Sequence, residues 1–179
     1  METNREMLKA LVLYVIWKTS HLEDFGATKL NKVLWFSEAR TFEAMGRPIA
    51  GETFVRDQFG PRSKNLREIC SKLVSEGLVE RFTEFVGDYE LTRYRALQPA
   101  DTSMFSSEQL NFVDWWISAI ADKHTAVSIS QLSHDYGWQV AGMGEELPLH
   151  AFLAKRIRQP HMGEELDWAK AEAARLGLR

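Results

Sequence analysis

Few side chains in this sequence are of types that do chemistry. The five histidines, His21, His124, His134, His150 and His161, stand apart. None pairs with another at the i, i+4 spacing, with a glutamate between, that sets two imidazoles on one helix face around zinc. Structural histidines are the simpler reading, and no metal is expected. His134 is followed by Asp135, and a carboxylate that orients an imidazole makes a general base. Adjacent residues seldom point the same way, however, and no nucleophile can be tied to the pair, so a hydrolase ranks third among the functional readings. The single cysteine, Cys70, can form no internal disulfide and falls on the apolar stripe of a helix, where a thiol stays inert. No GxxxxGK[ST] or GxGxxG run occurs, so neither a phosphate loop nor a dinucleotide fold is indicated. No catalytic residue and no cofactor is therefore assigned, and a binding module suits this inventory better than an enzyme.

The positive charges carry a second reading. Arg62, Lys64, Arg67, Lys72, Arg81, Arg93 and Arg95 lie along a stretch that reads helix, glycine, hairpin. That is the order of a winged helix, with cations for phosphate contacts. Glu68, Glu76, Glu80 and Glu84 are interleaved with them and dilute the field. A winged-helix-like nucleic-acid-binding regulator is thus the alternative, with DNA not favoured as a partner. The whole chain has 22 Lys and Arg against 25 Asp and Glu, a net charge of −3, which is no footprint of a protein that coats nucleic acid. Residues 47–81 hold a slight basic excess and 82–179 an acidic one, an asymmetry usual for solvated faces.

The apolar spacing outlines the elements that position these groups. Leu8, Leu11, Val12, Val15 and Ile16 predict a helix over 5–18, apolar almost all round and therefore central. A second helix is expected behind Thr28 as its cap, with Leu30, Val33 and Leu34 at helical spacing, stopping at Gly46 because Arg47-Pro48 cannot continue it. Residues 52–59 read as a strand broken at Gly60-Pro61. Ser63 is the expected cap of a helix carrying Leu66, Ile69, Cys70, Leu73 and Val74 and closed by Gly77. The β-forming runs 78–86 and 89–97 flank Gly87-Asp88, a two-residue hairpin turn. Ser106 with Gln109 forms a capping box for a helix through Val113, Ile117 and Ile120, and Ser128 with Gln131 repeats the pattern for a shorter one. A packed loop is expected over 136–144, and a last helix over 164–176, with acids in its first turn and Arg175 in its last. Trp35-Phe36 and Trp115-Trp116 are assigned to the core.

These elements predict an α+β fold: one predominantly helical domain over 1–179, with a small antiparallel sheet made of the 52–59 strand and the 78–97 hairpin. With 179 residues, 45% of them hydrophobic, the chain has the size and apolar content of a single core. No apolar run approaches the roughly 18 residues of a membrane span, so no membrane partner is expected. An acidic start with Glu2 and Glu6 and no small-residue cleavage site reads as cytoplasmic.

Two glycine-flanked turns go beyond what a core asks for. Gly46-Arg47-Pro48-Ile49-Ala50-Gly51-Glu52 follows the second helix, and Gly60-Pro61 comes eight residues later. Taken with the Lys29-Leu30 to Phe36 helix, the strand ending in Phe59-Gly60-Pro61, and the distal Leu132-Ser133-His134-Asp135 with Trp138 and Gly144, they make residues 20–150 resemble the Panacea domain of SocA-like antitoxins. The N-terminal and C-terminal helices are then additions packed on it. Arg62 stands where that family more often carries an apolar residue. The resemblance implies a small cytoplasmic antitoxin that binds and neutralises the cognate protein toxin of a type II toxin–antitoxin system, with a cellular protease or chaperone as a further partner.

Turn residues held by a rigid scaffold make contact surfaces, and arginine is common among interface anchors. The expected partner-binding residues are Arg47, Arg56, Asp57, Arg62 and Trp138. The competing reading is that the glycines only let the chain reverse over the second helix. If the turns carry no contact, the acidic residues Glu145, Glu146, Glu164 and Glu165 become the candidate surface for a basic toxin.

Overall fold

The computed structural model describes residues 2–86 and 89–153. The Gly87-Asp88 turn and the helix expected over 164–176 lie outside the described residues. Helix α1 (Arg5–Thr19) forms as its spacing predicts and buries Leu8, Leu11, Val12, Val15 and Ile16. The centre, however, belongs to the next helix, α2 (Ala27–Met45), in which every residue from Lys29 to Ala39 is buried. Leu30, Val33, Leu34, Trp35 and Phe36 cover more than one stripe, so neighbours pack on several sides of it. Trp35 meets Phe54 edge-on at 5.1 Å, and Phe36 stacks on Trp116 at 4.3 Å. Trp115 meets Trp116 edge-on at 4.7 Å but is itself 61% exposed, which corrects its assignment to the core: successive residues on a helix cannot share one face.

Helix α2 starts two residues earlier than the Thr28 cap predicts. Its N-cap is Gly26, which supplies no side-chain cap. A Cβ there would lie 2.2 Å from Leu91 Cδ1, so close approach of the later hairpin selects glycine over a capping hydroxyl. At the other end Gly46 behaves as expected: at φ 71° it closes the helix, and its N–H donates to the Phe42 carbonyl at 2.9 Å.

The 52–59 segment is a tighter structure than a single strand. Strand β1 (Phe54–Asp57) turns at Gln58-Phe59 and pairs antiparallel with β2 (Gly60–Ser63). The expected break at Gly60-Pro61 is thus the start of a second strand. Gly60, at φ 94°, gives the turn its left-handed residue, and Pro61 is tolerated because β2 is an edge. Helix α3 (Leu66–Ser75) follows with Asn65 at the cap position, while the Ser63 hydroxyl accepts the Leu66 N–H at 2.9 Å. Strands β3 (Val79–Val86) and β4 (Tyr89–Ala96) pair in register around the Gly87-Asp88 position.

Helix α4 (Ser107–Lys123) carries the predicted Ser106/Gln109 capping box. The next helix, α5 (Ala126–Leu132), is capped by Thr125 rather than Ser128; Ser128 is the reciprocal partner inside that box. The expected loop at 136–144 contains a one-turn helix, α6 (Tyr136–Val140), capped by Asp135. Strand β5 (Glu146–Leu147) then pairs with β1, and a 3-10 turn (Leu149–Leu153) packs on α2. The fold is the predominantly helical α+β arrangement that the sequence predicts, but with two sheets instead of one. The β3–β4 ribbon stands apart from the β2-β1-β5 sheet, because both edges of β1 are already taken.

Leu73, fully buried on α3, tests the packing. Leu73→Ala is expected to cost about 2–5 kcal/mol by leaving a cavity. The loss is read as a lower denaturation midpoint at unchanged slope; a midpoint that does not move contradicts the packing.

Candidate functional site

Because α2 is enclosed, many of its polar side chains are buried with it: Asn31, Lys32 and Glu38 hold neighbouring backbone and Lys29 pairs with Asp24, while the Ser37 and Thr41 hydroxyls have no hydrogen-bond partner among the described residues. Glu38 accepts the N–H groups of Ile49 at 2.7 Å and Ala50 at 2.9 Å. Burial pushes its carboxyl from 4.5 up to about 7, while those N–H groups pull in the opposite direction. Asn31 clamps β2 from both sides, donating from Nδ2 to the Pro61 carbonyl at 2.7 Å and accepting the Ser63 N–H at 3.0 Å. Lys32 Nζ donates to the same Pro61 carbonyl at 3.1 Å. Glu52 continues the chain of contacts, accepting from the Ser63 hydroxyl at 2.6 Å and from the Asn65 N–H and Nδ2 at 2.9 Å each.

The run from Gly46 to Glu52 therefore faces inward. Pro48 through Glu52 are buried and only Gly46 and Arg47 are exposed, so the turn is wrapped around the Glu38 carboxylate. Of the two readings of its glycines, chain reversal over the second helix is the one this geometry favours. Arg47 sits at the C-terminal end of α2, away from the other four expected contact residues.

Those four come together at the β1–β2 turn. The Trp138 indole donates to the Asp57 carbonyl at 2.9 Å. The Arg56 guanidinium lies 4.5 Å from the Trp138 ring and donates to the Ala141 carbonyl at 2.6 Å. Arg62 Nε pairs with the Asp57 carboxylate on the exposed side. Arg56 and Trp138 thus tie the turn to α6, whereas Arg62 faces solvent.

The His134 ring stacks flat on Trp138 at 3.7 Å. Its pKa is lowered, first by burial and then by the positive charges of Lys32 and Arg56, with Asp135 opposing. Asp135 Oδ1 accepts the Trp138 N–H at 3.0 Å, so this carboxylate oxygen caps α6 rather than orienting the imidazole. Gly60 lies against the same corner: a Cβ there would come within 2.2 Å of the Ser133 hydroxyl and 2.7 Å of Lys32 Nζ. Reading the sequence missed Asn31, Lys32 and Glu38. The sequence holds no local signal for them, since polar residues on a helix that also carries Leu30, Val33 and Leu34 read as its solvent face.

On the open side of the turn lies a groove of about 790 Å3, bounded by the start of α2, the β1–β2 turn, α3 and the β3–β4 ribbon. Leu66, Cys70 and Tyr94 form its base, and Phe59, Arg62, Arg67, Val74 and Arg81 its rim. Burial pushes the Cys70 thiol up to about 11, leaving it the unreactive core group that its position on the helix predicts.

The fold and site define a helical α+β domain whose turns are fastened from inside and whose open face is a groove. No described helix is long and apolar enough to cross a membrane. Residues 30–139, more than half of the chain, match the family described as antitoxin SocA-like, Panacea domain. The chain belongs to that family, as the resemblance of its turns and second helix predicts. No curated protein matches it. The matched segment runs from within α2 to within α6 and so contains both hairpins, α3 and all of the groove lining except Ala27 and Thr28.

Lys32 gives this site a pH signature. Burial lowers its pKa from 10.5 to about 7, against the pull of Asp57. Between those values the unfolded chain holds a proton that the folded chain does not, so Lys32 makes stability rise with pH across that window and withdraws the gain as pH falls through about 7. Lys32→Met is expected to abolish this slope. Denaturation midpoints at pH 7 and pH 10 check it: the advantage of the wild type over the variant must grow with pH, and a constant difference contradicts the assignment.

Proposed function

We propose that this protein is an antitoxin, a binding protein that neutralises a cognate protein toxin within a type II toxin–antitoxin system. The observation that carries the reading is family membership over the segment that holds the turn and the groove. Physical chemistry supports it from another direction. Glu38, Asn31, Lys32, Glu52 and Trp138 all hold backbone in place, and what they present outward is a rigid surface. Phe59, 62% exposed at the tip of the turn, stands beside the Asp57–Arg62 pair. An exposed aromatic next to arginine is the composition of protein contact surfaces.

A DNA-binding regulator finds less support. In a winged helix the position of α3 would enter the major groove. Here one side of that helix is tied to α1 through the pairs Arg5–Glu68 and Lys72–Glu6, with Lys9–Glu76 at its C-terminal end. Arg93 and Arg95 on the ribbon are neutralised by Glu84 and Glu80.

Co-expression with the toxin encoded by the neighbouring gene tests the proposal. The wild type is expected to restore growth and to co-purify with the toxin. Arg62→Ala is expected to weaken the complex by about tenfold or more, the ~1.4 kcal/mol or more of an interface anchor, with thermal stability unchanged. Failure of the wild type to protect contradicts the antitoxin reading, and full protection by Arg62→Ala, Phe59→Ala and Arg47→Ala removes the contact from this face.

A further inference from the structure

We infer that the groove beside the β1–β2 turn is the docking site for a short acidic segment of a partner protein, which brings carboxylates to Arg67 and Arg81 and lays an apolar side chain against Leu66, Val74 and Tyr94. The inference deepens the antitoxin reading and rests on it for who the partner is. It starts from a census of charge on α3 and the ribbon. Lys64 pairs with Glu146, Lys72 with Glu6, Arg93 with Glu84, Arg95 with Glu80, and Arg62 on the turn with Asp57. Arg67 and Arg81 alone among the cations of α3 and the ribbon have no acidic partner among the described residues, and both line the groove.

Helix and strand periodicity put them there together. Arg67, Cys70, Ser71 and Val74 repeat at i, i+3, i+4 and i+7 along α3 and form one wall. Arg81 sits directly across the ribbon from Tyr94 and forms the other. Their charges reach the same volume. Burial pushes the Tyr94 phenol up to about 12, and Arg81 and Arg67 both pull it in the opposite direction.

This combination selects its occupant. A purely apolar segment would cover two guanidinium groups without pairing them, which is costly, and a basic segment would be repelled. Carboxylates pair with guanidinium in a planar, two-pronged geometry, and the apolar base takes the side chain between them. Nucleic acid fits less well: the base of the groove is Leu66, Cys70 and Tyr94, where a phosphate chain would meet apolar surface that an apolar side chain fills. At about 790 Å3 the groove falls within the ~300–1,000 Å3 range of ligand pockets, so a short segment enters rather than a domain.

Fluorescence anisotropy on the full chain tests this with a labelled 12-residue peptide alternating glutamate with leucine and phenylalanine, a matched peptide with lysine for glutamate, and a 20-base-pair duplex. The acidic peptide is expected to bind, to weaken with salt, and to lose at least about tenfold in affinity for Arg67→Glu/Arg81→Glu at unchanged thermal stability. Arg67→Gln/Arg81→Gln carries the comparison if charge reversal impairs folding. Equal binding by wild type and variant, no binding by either, or equal or tighter binding of the lysine peptide or the duplex overturns the inference, as does a dimer of this chain that the variant dissolves. The toxin assay separates the two claims. If the wild type and both variants protect equally, the groove inference falls and the antitoxin reading stands; if the wild type fails to protect but the peptide still binds through Arg67 and Arg81, the reverse holds.

Discussion

Enclosing a helix on all sides takes its polar groups out of water, and α2 gives Asn31, Lys32 and Glu38 backbone partners and Lys29 the Asp24 carboxylate. A buried ionisable group without hydrogen bonds costs several kcal/mol, so Glu38, Asn31 and Lys32 can occupy this helix only if loops fold around them. The turn at 48–52 supplies N–H groups to Glu38, and β2 supplies the Pro61 carbonyl and the Ser63 N–H to Lys32 and Asn31. Glu52 then joins the two turns by gripping Ser63 and Asn65. Packing and polar satisfaction are therefore one requirement here. The apolar residues of α2 bury it, and the polar residues fix what lies against it.

The proposed contact surface inherits its rigidity from this arrangement. The β1–β2 turn is held from beneath by Asn31 and Lys32 and from the side by the Trp138 indole and Arg56, so Phe59 and Arg62 are displayed from a fixed frame. Ordering a flexible loop during association costs about 0.5–1.5 kcal/mol for each long side chain immobilised, and a preformed turn avoids part of that cost. The same turn makes one wall of the groove, whose opposite side is the β3–β4 ribbon. One polar scaffold thus shapes both the exposed tip and the concavity next to it.

What could be read from the sequence was governed by local rules, and what could not was decided by tertiary contacts. The Gly46 stop, the Ser106/Gln109 box and the α3 stripe follow from local spacing, and the structure reproduces them except that Val74, expected on the stripe, is exposed at the groove. Thr28 is the better cap by local chemistry, yet Leu91 and the Thr92 carbonyl of the distant hairpin crowd position 26, where glycine leaves room. Strand β1 was legible; its partners were not, since Glu146 and Leu147 come from far along the chain. At the site, Arg56, Asp57 and Arg62 share the turn that sequence marks, Trp138 reaches it from α6, and Arg47, expected beside them, lies at the far end of α2. Asn31, Lys32 and Glu38 escaped because polar residues on a helix are normally its solvent face, and only the burial of α2 on all sides reverses that rule.

The account rests most heavily on the claim that side chains of α2 and Glu52, rather than regular secondary structure, hold the two turns. Native-state hydrogen exchange at the Ile49, Ala50, Ser63 and Asn65 amides addresses it directly, because each donates to a side chain. These four are predicted to exchange as slowly as amides in the middle of α2, with Glu38→Gln releasing Ile49 and Ala50 while Ser63 stays protected. Exchange at all four as fast as in exposed turns would contradict the account.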